Sequence, residues 1–223
     1  MLRLVASSAW VLLVFGGCGD GDDAPPGSAP VDPCVPHLAT AWSPSWHPPR
    51  APRPGACTKA QIDAQYTSCH SASGSQTACR ALRDDPANQA CNSCIYTDEK
   101  EATYGPIIWS PNGSWRTNTP GCIALLDRDV TAEGCAARVQ ASSACAETAC
   151  SACEPYEKYL ECRRSAYTTT CRTPYFESIC FLRPDYTTCV DYDTNEEYFR
   201  SVVNLFCVAA APTTLVDSEG DGQ

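Results

Sequence analysis

The sequence predicts a mainly α, small disulfide-rich helical domain with one short β-hairpin near residues 107–117. Three observations carry that prediction. Between Cys57 and Val208, 152 positions hold 15 cysteines but only 24 isoleucine, leucine, valine, phenylalanine, methionine and tryptophan residues. That is too little hydrocarbon for an ordinary core of this size, so cross-links must restrict the unfolded chain, and cross-links need an oxidising compartment. Helix-capping residues recur through the same region, and a single Asn-Gly turn lies between two short aromatic and β-branched runs. The net charge of −10 argues against a nucleic-acid partner, since such proteins are normally basic.

The chain opens with Met1-Leu2-Arg3 and an apolar run from Leu4 to Phe15. The run is shorter than the roughly 20 residues that span a bilayer and matches the apolar centre of an export signal. Phe15-Gly16-Gly17-Cys18 then resembles the lipobox of bacterial lipoproteins, although Phe15 stands where that family usually has leucine. The resemblance implies a signal peptide at 1–17, acylation of the Cys18 thiol and of the new amino terminus, and a membrane partner reached through that lipid. Gly19, where an aspartate would mark inner-membrane retention, points to the outer membrane of the cell envelope. Cysteine parity agrees: with Cys18 lipidated, 16 cysteines remain and can all pair.

Residues 18–56 read as the lipidated cysteine followed by a Pro-rich tether. Residues 19–56 contain 10 of the 18 prolines, which remove backbone donors and favour extended polyproline II. Cys34 lies within it. The body from Cys57 to Cys207 has an odd number of cysteines, 15, so Cys34 is expected to cross back to it. His37, Trp42, Trp46 and His47 also fall in this segment, as a recognition motif or as part of a spacer.

The cysteine-rich helical domain spans 57–208. Thr58 caps a helix from Lys59 to about Cys69, Ser75 caps the next, and Asp85-Pro86 starts a turn towards Cys91. Ile107-Ile108-Trp109 and Trp115-Arg116-Thr117 form the hairpin around Asn112-Gly113. Helix resumes near Thr131 and runs to about Cys150, and Pro155 marks a fresh start. Thr168-Thr169-Thr170, Pro174 and Pro184 interrupt the helical pattern beyond it. A last helix from about Glu196 to Val208 carries Phe199, Val202, Val203 and Phe206 at helical spacing, and residues 209–223 read as an acidic disordered tail.

The expected disulfide set is Cys34, Cys57, Cys69, Cys79, Cys91, Cys94, Cys122, Cys135, Cys145, Cys150, Cys153, Cys162, Cys171, Cys180, Cys189 and Cys207, with the pairing left open. Similar cysteine spacings suggest an internal duplication, 57–121 and 122–180. Cys91/Cys94 and Cys150/Cys153 have the spacing of zinc or redox pairs. Export favours structural disulfides over both, and no metal or other cofactor is expected.

No nucleophile elbow and no His-Glu-x-x-His motif occurs, and no catalytic residue is assigned. His70, the body's only histidine, sits at an expected helix end where a cationic ring is favourable. Trp109, Trp115 and Tyr104 surround the hairpin. They can stack on a sugar or fill a partner's pocket, or they can cap a small core, which the scarcity of other large apolar residues favours. The function expected is a non-catalytic surface or periplasmic binding or structural module, with protein or glycan partners. An extracellular hydrolase with two catalytic carboxylates is the alternative.

Overall fold

The computed structural model of the chain describes residues 34–39, 41–111 and 113–208. The expected signal at 1–17, Cys18, the turn residue Asn112 and the tail at 209–223 lie outside the described residues.

Local capping chemistry starts most of the helices. Thr58 and Gln61 form a reciprocal box ahead of α1, Lys59–Gln65, with Thr58 N donating to Gln61 Oε1 at 2.9 Å. The expected helix to Cys69 instead widens into a π turn, Tyr66–His70. Ser75 caps α2, Gln76–Asp84, accepting from Ala78 N at 3.1 Å. Helix α2 buries no residue. It is held by the Cys69–Cys79 bridge and by two amides, Asn88 Nδ2 donating to Leu82 O at 3.2 Å and Asn92 Nδ2 to Arg83 O at 3.0 Å. Asp85 accepts from Ala87 N at 2.9 Å and opens the 3-10 turn Pro86–Asn88, which leads into α3, Gln89–Ile95.

The expected hairpin is present as β2, Ile107–Trp109, and β3, Trp115–Thr117, with Trp109 opposite Trp115. Gly113 supplies the positive φ of +83° that its turn requires. The sheet has a third strand that the sequence reading lacks: β1, Tyr96–Asp98, pairs parallel to β2. Three residues directly after a helix are too few to show alternation.

Helix α4, Thr119–Asp127, was also not anticipated, although Asn118 caps it by accepting from Gly121 N at 2.8 Å and Pro120 sits in its first turn. Asp129 accepts from the Thr131 amide and hydroxyl at 2.9 and 2.7 Å, and that turn defers α5 to Cys135–Ala149. The rest is α6, Tyr156–Thr168; α7, Arg172–Ser178; α8, Thr187–Val190; and α9, Asn195–Cys207. Pro174 does not break a helix. It lies in the first turn of α7, where its missing N–H has no helical partner to lose.

Two clusters make the interior. The first gathers on α9, where Phe199, Val202, Val203 and Phe206 meet Ile62, Ile95, Ile107, Ile123 and Tyr186. The second, around α5 and α6, consists of five cysteines and three alanines: Cys145, Cys150, Cys153, Cys162, Cys171, Ala146, Ala149 and Ala166. A core of sulfur and methyl groups offers little apolar area, so its geometry depends on the bridges that cross it.

Eight disulfides join the described cysteines: Cys34–Cys153, Cys57–Cys91, Cys69–Cys79, Cys94–Cys207, Cys122–Cys189, Cys135–Cys180, Cys145–Cys171 and Cys150–Cys162. Such a set requires an oxidising compartment. Cys91, Cys94, Cys150 and Cys153 each bond to a distant cysteine, which leaves neither close pair a thiolate for zinc or redox exchange. The duplication is not reflected in the pairing. Cys69 bonds Cys79, whereas their counterparts Cys135 and Cys145 share one helix and bond Cys180 and Cys171.

The Pro-rich segment is not a free tether from Cys34 onwards. Besides the Cys34–Cys153 bond, His37 N donates to Ala149 O at 3.0 Å and Trp46 Nε1 to Val130 O at 2.9 Å. Pro49 bridges to Tyr104, and Leu38 and Trp42 cover the alanine-cysteine cluster. An extended chain without internal hydrogen bonds keeps its polar groups available for such docking. Among the described residues no helix is long and apolar enough to cross a membrane.

Candidate functional site

The three-stranded sheet has two faces, and a cleft lies by each. Side chains alternate along a strand, so Tyr96, Ile107, Trp109 and Trp115 share one face while Ile108 and Arg116 take the other. Beside the first face is a cleft of about 890 Å³ between the sheet, the π turn and α2. Tyr96, Trp109 and Asn92 form its inner wall, and Ser68, Ser71, Ser75 and Gln76 supply hydroxyl and amide groups around it. Its charged residues are Arg80, Arg83 and Asp84.

Behind the wall runs a hydrogen-bond chain whose direction is set at one end. Asn92 Nδ2 donates to the Arg83 carbonyl, which leaves Asn92 Oδ1 to accept from Gln65 Nε2. Gln65 Oε1 is then free to accept from the Tyr96 hydroxyl at 2.9 Å. The Tyr96 oxygen in turn accepts from His70 Nε2 at 3.0 Å. His70 therefore carries its proton on Nε2, and its Nδ1 is buried without a partner.

A second proton would have to sit on that covered Nδ1. Burial, reinforced by the Arg83 charge, lowers the His70 pKa from 6.5 to about 4. The expected cationic helix-end histidine is thus corrected to a neutral ring. It packs among Phe199 at 4.7 Å, Trp115 at 4.4 Å, Tyr96 at 5.9 Å and Trp109 at 6.1 Å between ring centroids. Burial also pushes the Tyr96 phenol well above its ordinary pKa, so neither group exchanges protons near neutrality. Their task is to hold the wall.

Arg83 stands in front of it. Its guanidinium carbon lies 5.2 Å from the Tyr96 ring centre and 5.6 Å from that of Trp109.

The cleft on the opposite face is smaller, about 260 Å³. There Arg116 and Arg163 approach Glu147 at 3.6 and 4.0 Å. A third cleft, about 470 Å³, includes Asp193 of the Asp191-x-Asp193-x-Asn195 run. Each of these three clefts holds one carboxylate: Asp84, Glu147 and Asp193 respectively.

The three aromatic candidates separate. Trp109 reaches the large cleft, while Trp115 sits behind it against His70 and the core. Tyr104 is buried at 4% exposure, stacks on His47 at 4.5 Å and donates to Glu99 O at 2.7 Å. The sequence reading missed Tyr96, Arg80 and Arg83. The three-residue spacing of the arginines on a capped helix was the available signal, but a charge pair of that kind ordinarily marks a solvated face. The chain matches no known protein family, no curated protein and no solved structure.

Proposed function

We propose that this chain is an exported, lipid-anchored, non-catalytic binding module, held at the bacterial outer membrane through Cys18, that takes a surface glycan in the cleft between α2 and the sheet. The observation that carries the reading is the composition of that cleft: an aromatic wall of Tyr96 and Trp109 with serine, glutamine, asparagine and arginine groups around it. Sugars present apolar ring faces and a ring of hydroxyls, and this combination meets both. The cross-linked scaffold supports it too, because a preformed cleft costs little ordering on binding.

The hydrolase alternative needs two carboxylates flanking one bond. Asp84 is the cleft's single acid, which favours binding over hydrolysis.

Screening the purified full-length protein against an oligosaccharide array tests the reading. Selective binding is expected, weakened about tenfold or more by Trp109→Ala, a loss of about 1.4 kcal/mol. An array without a ligand, or a ligand indifferent to Trp109→Ala, refutes it. The anchor is tested separately. Cys18→Ala should move the protein from the detergent phase to the aqueous phase, and unchanged partitioning would exclude the lipid.

A further inference from the structure

Resting on the glycan reading, we infer that the ligand of the large cleft is acidic: a uronate-bearing oligosaccharide whose carboxylate is received by Arg83, with Arg80 beside it. Helix α2 is an unusual element. It buries no residue, yet it is kept in place by a disulfide and by two side-chain amides that bind its last turn. A nine-residue helix without a buried face would not persist alone. What stapling fixes is the position of α2 at the cleft, where its charged residues are Arg80 and Arg83, one turn apart, with Asp84 adjacent.

Arg83 is prepared for an anion. The exposed Arg83 guanidinium lies beside the Tyr96 and Trp109 rings, a contact that favours its position at the cleft before any ligand arrives. Five of the described arginines are ion-paired: Arg50 with Glu101, Arg116 and Arg163 with Glu147, Arg183 with Asp185 and Arg200 with Glu196. Arg53, Arg128, Arg138, Arg164 and Arg172, like Arg80 and Arg83, are not, and none of the former five lines the large cleft. Among the described residues neither Arg80 nor Arg83 makes an ion pair, nor does either guanidinium donate a hydrogen bond to protein. A planar fork of donors, set beside two rings and without an ion pair, matches the two oxygens of a carboxylate.

The cleft carries two cations against one anion in a chain of net charge −10. A locally positive cleft on an acidic protein favours an acidic ligand, and here, unlike in the opposite cleft where Arg116 and Arg163 both pair with Glu147, the two arginines make no ion pair. His70 adds no charge, being held neutral behind the wall. The Ser68 hydroxyl and the Gln76 amide remain for the sugar hydroxyls, while Ser71 donates to Thr67 O and Ser75 accepts from Ala78 N.

The test compares trigalacturonate with its methyl-esterified counterpart, which keeps the sugar scaffold and removes the charge, by calorimetry on the full-length protein. The free acid is expected to bind at least about tenfold tighter, and added salt should erode the difference. Arg83→Gln should bring the two affinities together, Arg83→Lys should keep part of the preference, and Arg172→Gln on α7 should change nothing. Circular dichroism of each variant checks that α2 survives. Equal or reversed affinities in the wild type, or a preference that persists in Arg83→Gln, overturn the acidic assignment while the glycan reading stands. Binding of neither compound, together with an empty array, overturns both.

Discussion

Acidification should loosen this protein through His70, and the size of the effect is set by the hydrogen-bond chain. In the folded state the ring donates through Nε2 to Tyr96 and leaves Nδ1 buried without an acceptor. Its pKa falls from 6.5 in the unfolded chain to about 4. A depressed histidine pKa means the unfolded chain takes up the proton first. The contribution to stability is therefore complete above pH 6.5 and is lost as pH falls towards about 4. At about 1.36 kcal/mol per unit, lowering the pH from about 7.5 to about 4.5 should cost roughly 2.5 kcal/mol through this group alone. Other groups titrate over the same range, so the assay is a difference. Wild type and His70→Phe are unfolded in guanidinium at both pH values without reductant, and the pH-dependent parts are subtracted. Phenylalanine fits the same aromatic surroundings and cannot be protonated. The variant should lose about 2.5 kcal/mol less than the wild type on acidification. Identical losses would refute the neutral, Nε2-protonated ring and with it the orientation of the whole chain back to the Arg83 carbonyl.

Two further outcomes test the cross-links singly. Replacing Cys69 and Cys79 together with serine opens a short loop worth about 3 kcal/mol on the chain-entropy estimate. Because α2 buries nothing, hydrogen exchange should accelerate within Gln76–Asp84 while α9 stays protected; uniform loss of protection would contradict the account. Replacing Cys34 and Cys153 with serine should expose the Pro-rich segment to limited proteolysis between residues 41 and 56, and resistance there would show that its backbone and side-chain contacts suffice without the bridge.

Helix starts were legible because their chemistry is local. Thr58, Ser75, and Asp85 before Pro86 all cap as their sequence predicts. The last helix was legible because Phe199, Val202, Val203 and Phe206 share one buried face. What escaped depends on distant partners. β1 exists because β2 lies beside it, and the Pro-rich segment is docked because Ala149, Val130 and Tyr104 offer it hydrogen-bond partners. Cysteine pairing obeys the fold, so spacing alone left it open: Cys91 and Cys94 each bond a different cysteine, as do Cys150 and Cys153. The site was half visible. Trp109 stood out beside a turn, but Arg83 gains its meaning from two rings on strands that the sequence does not place next to α2.

The account rests on sulfur bridges defining a fold whose second core is cysteine and alanine. Peptide mapping of the non-reduced protein by mass spectrometry tests this most directly. It should find Cys91 joined to Cys57, Cys94 to Cys207, Cys150 to Cys162 and Cys153 to Cys34. Bridges closing Cys91 on Cys94 or Cys150 on Cys153, or free thiols at these positions in the native protein, would contradict it.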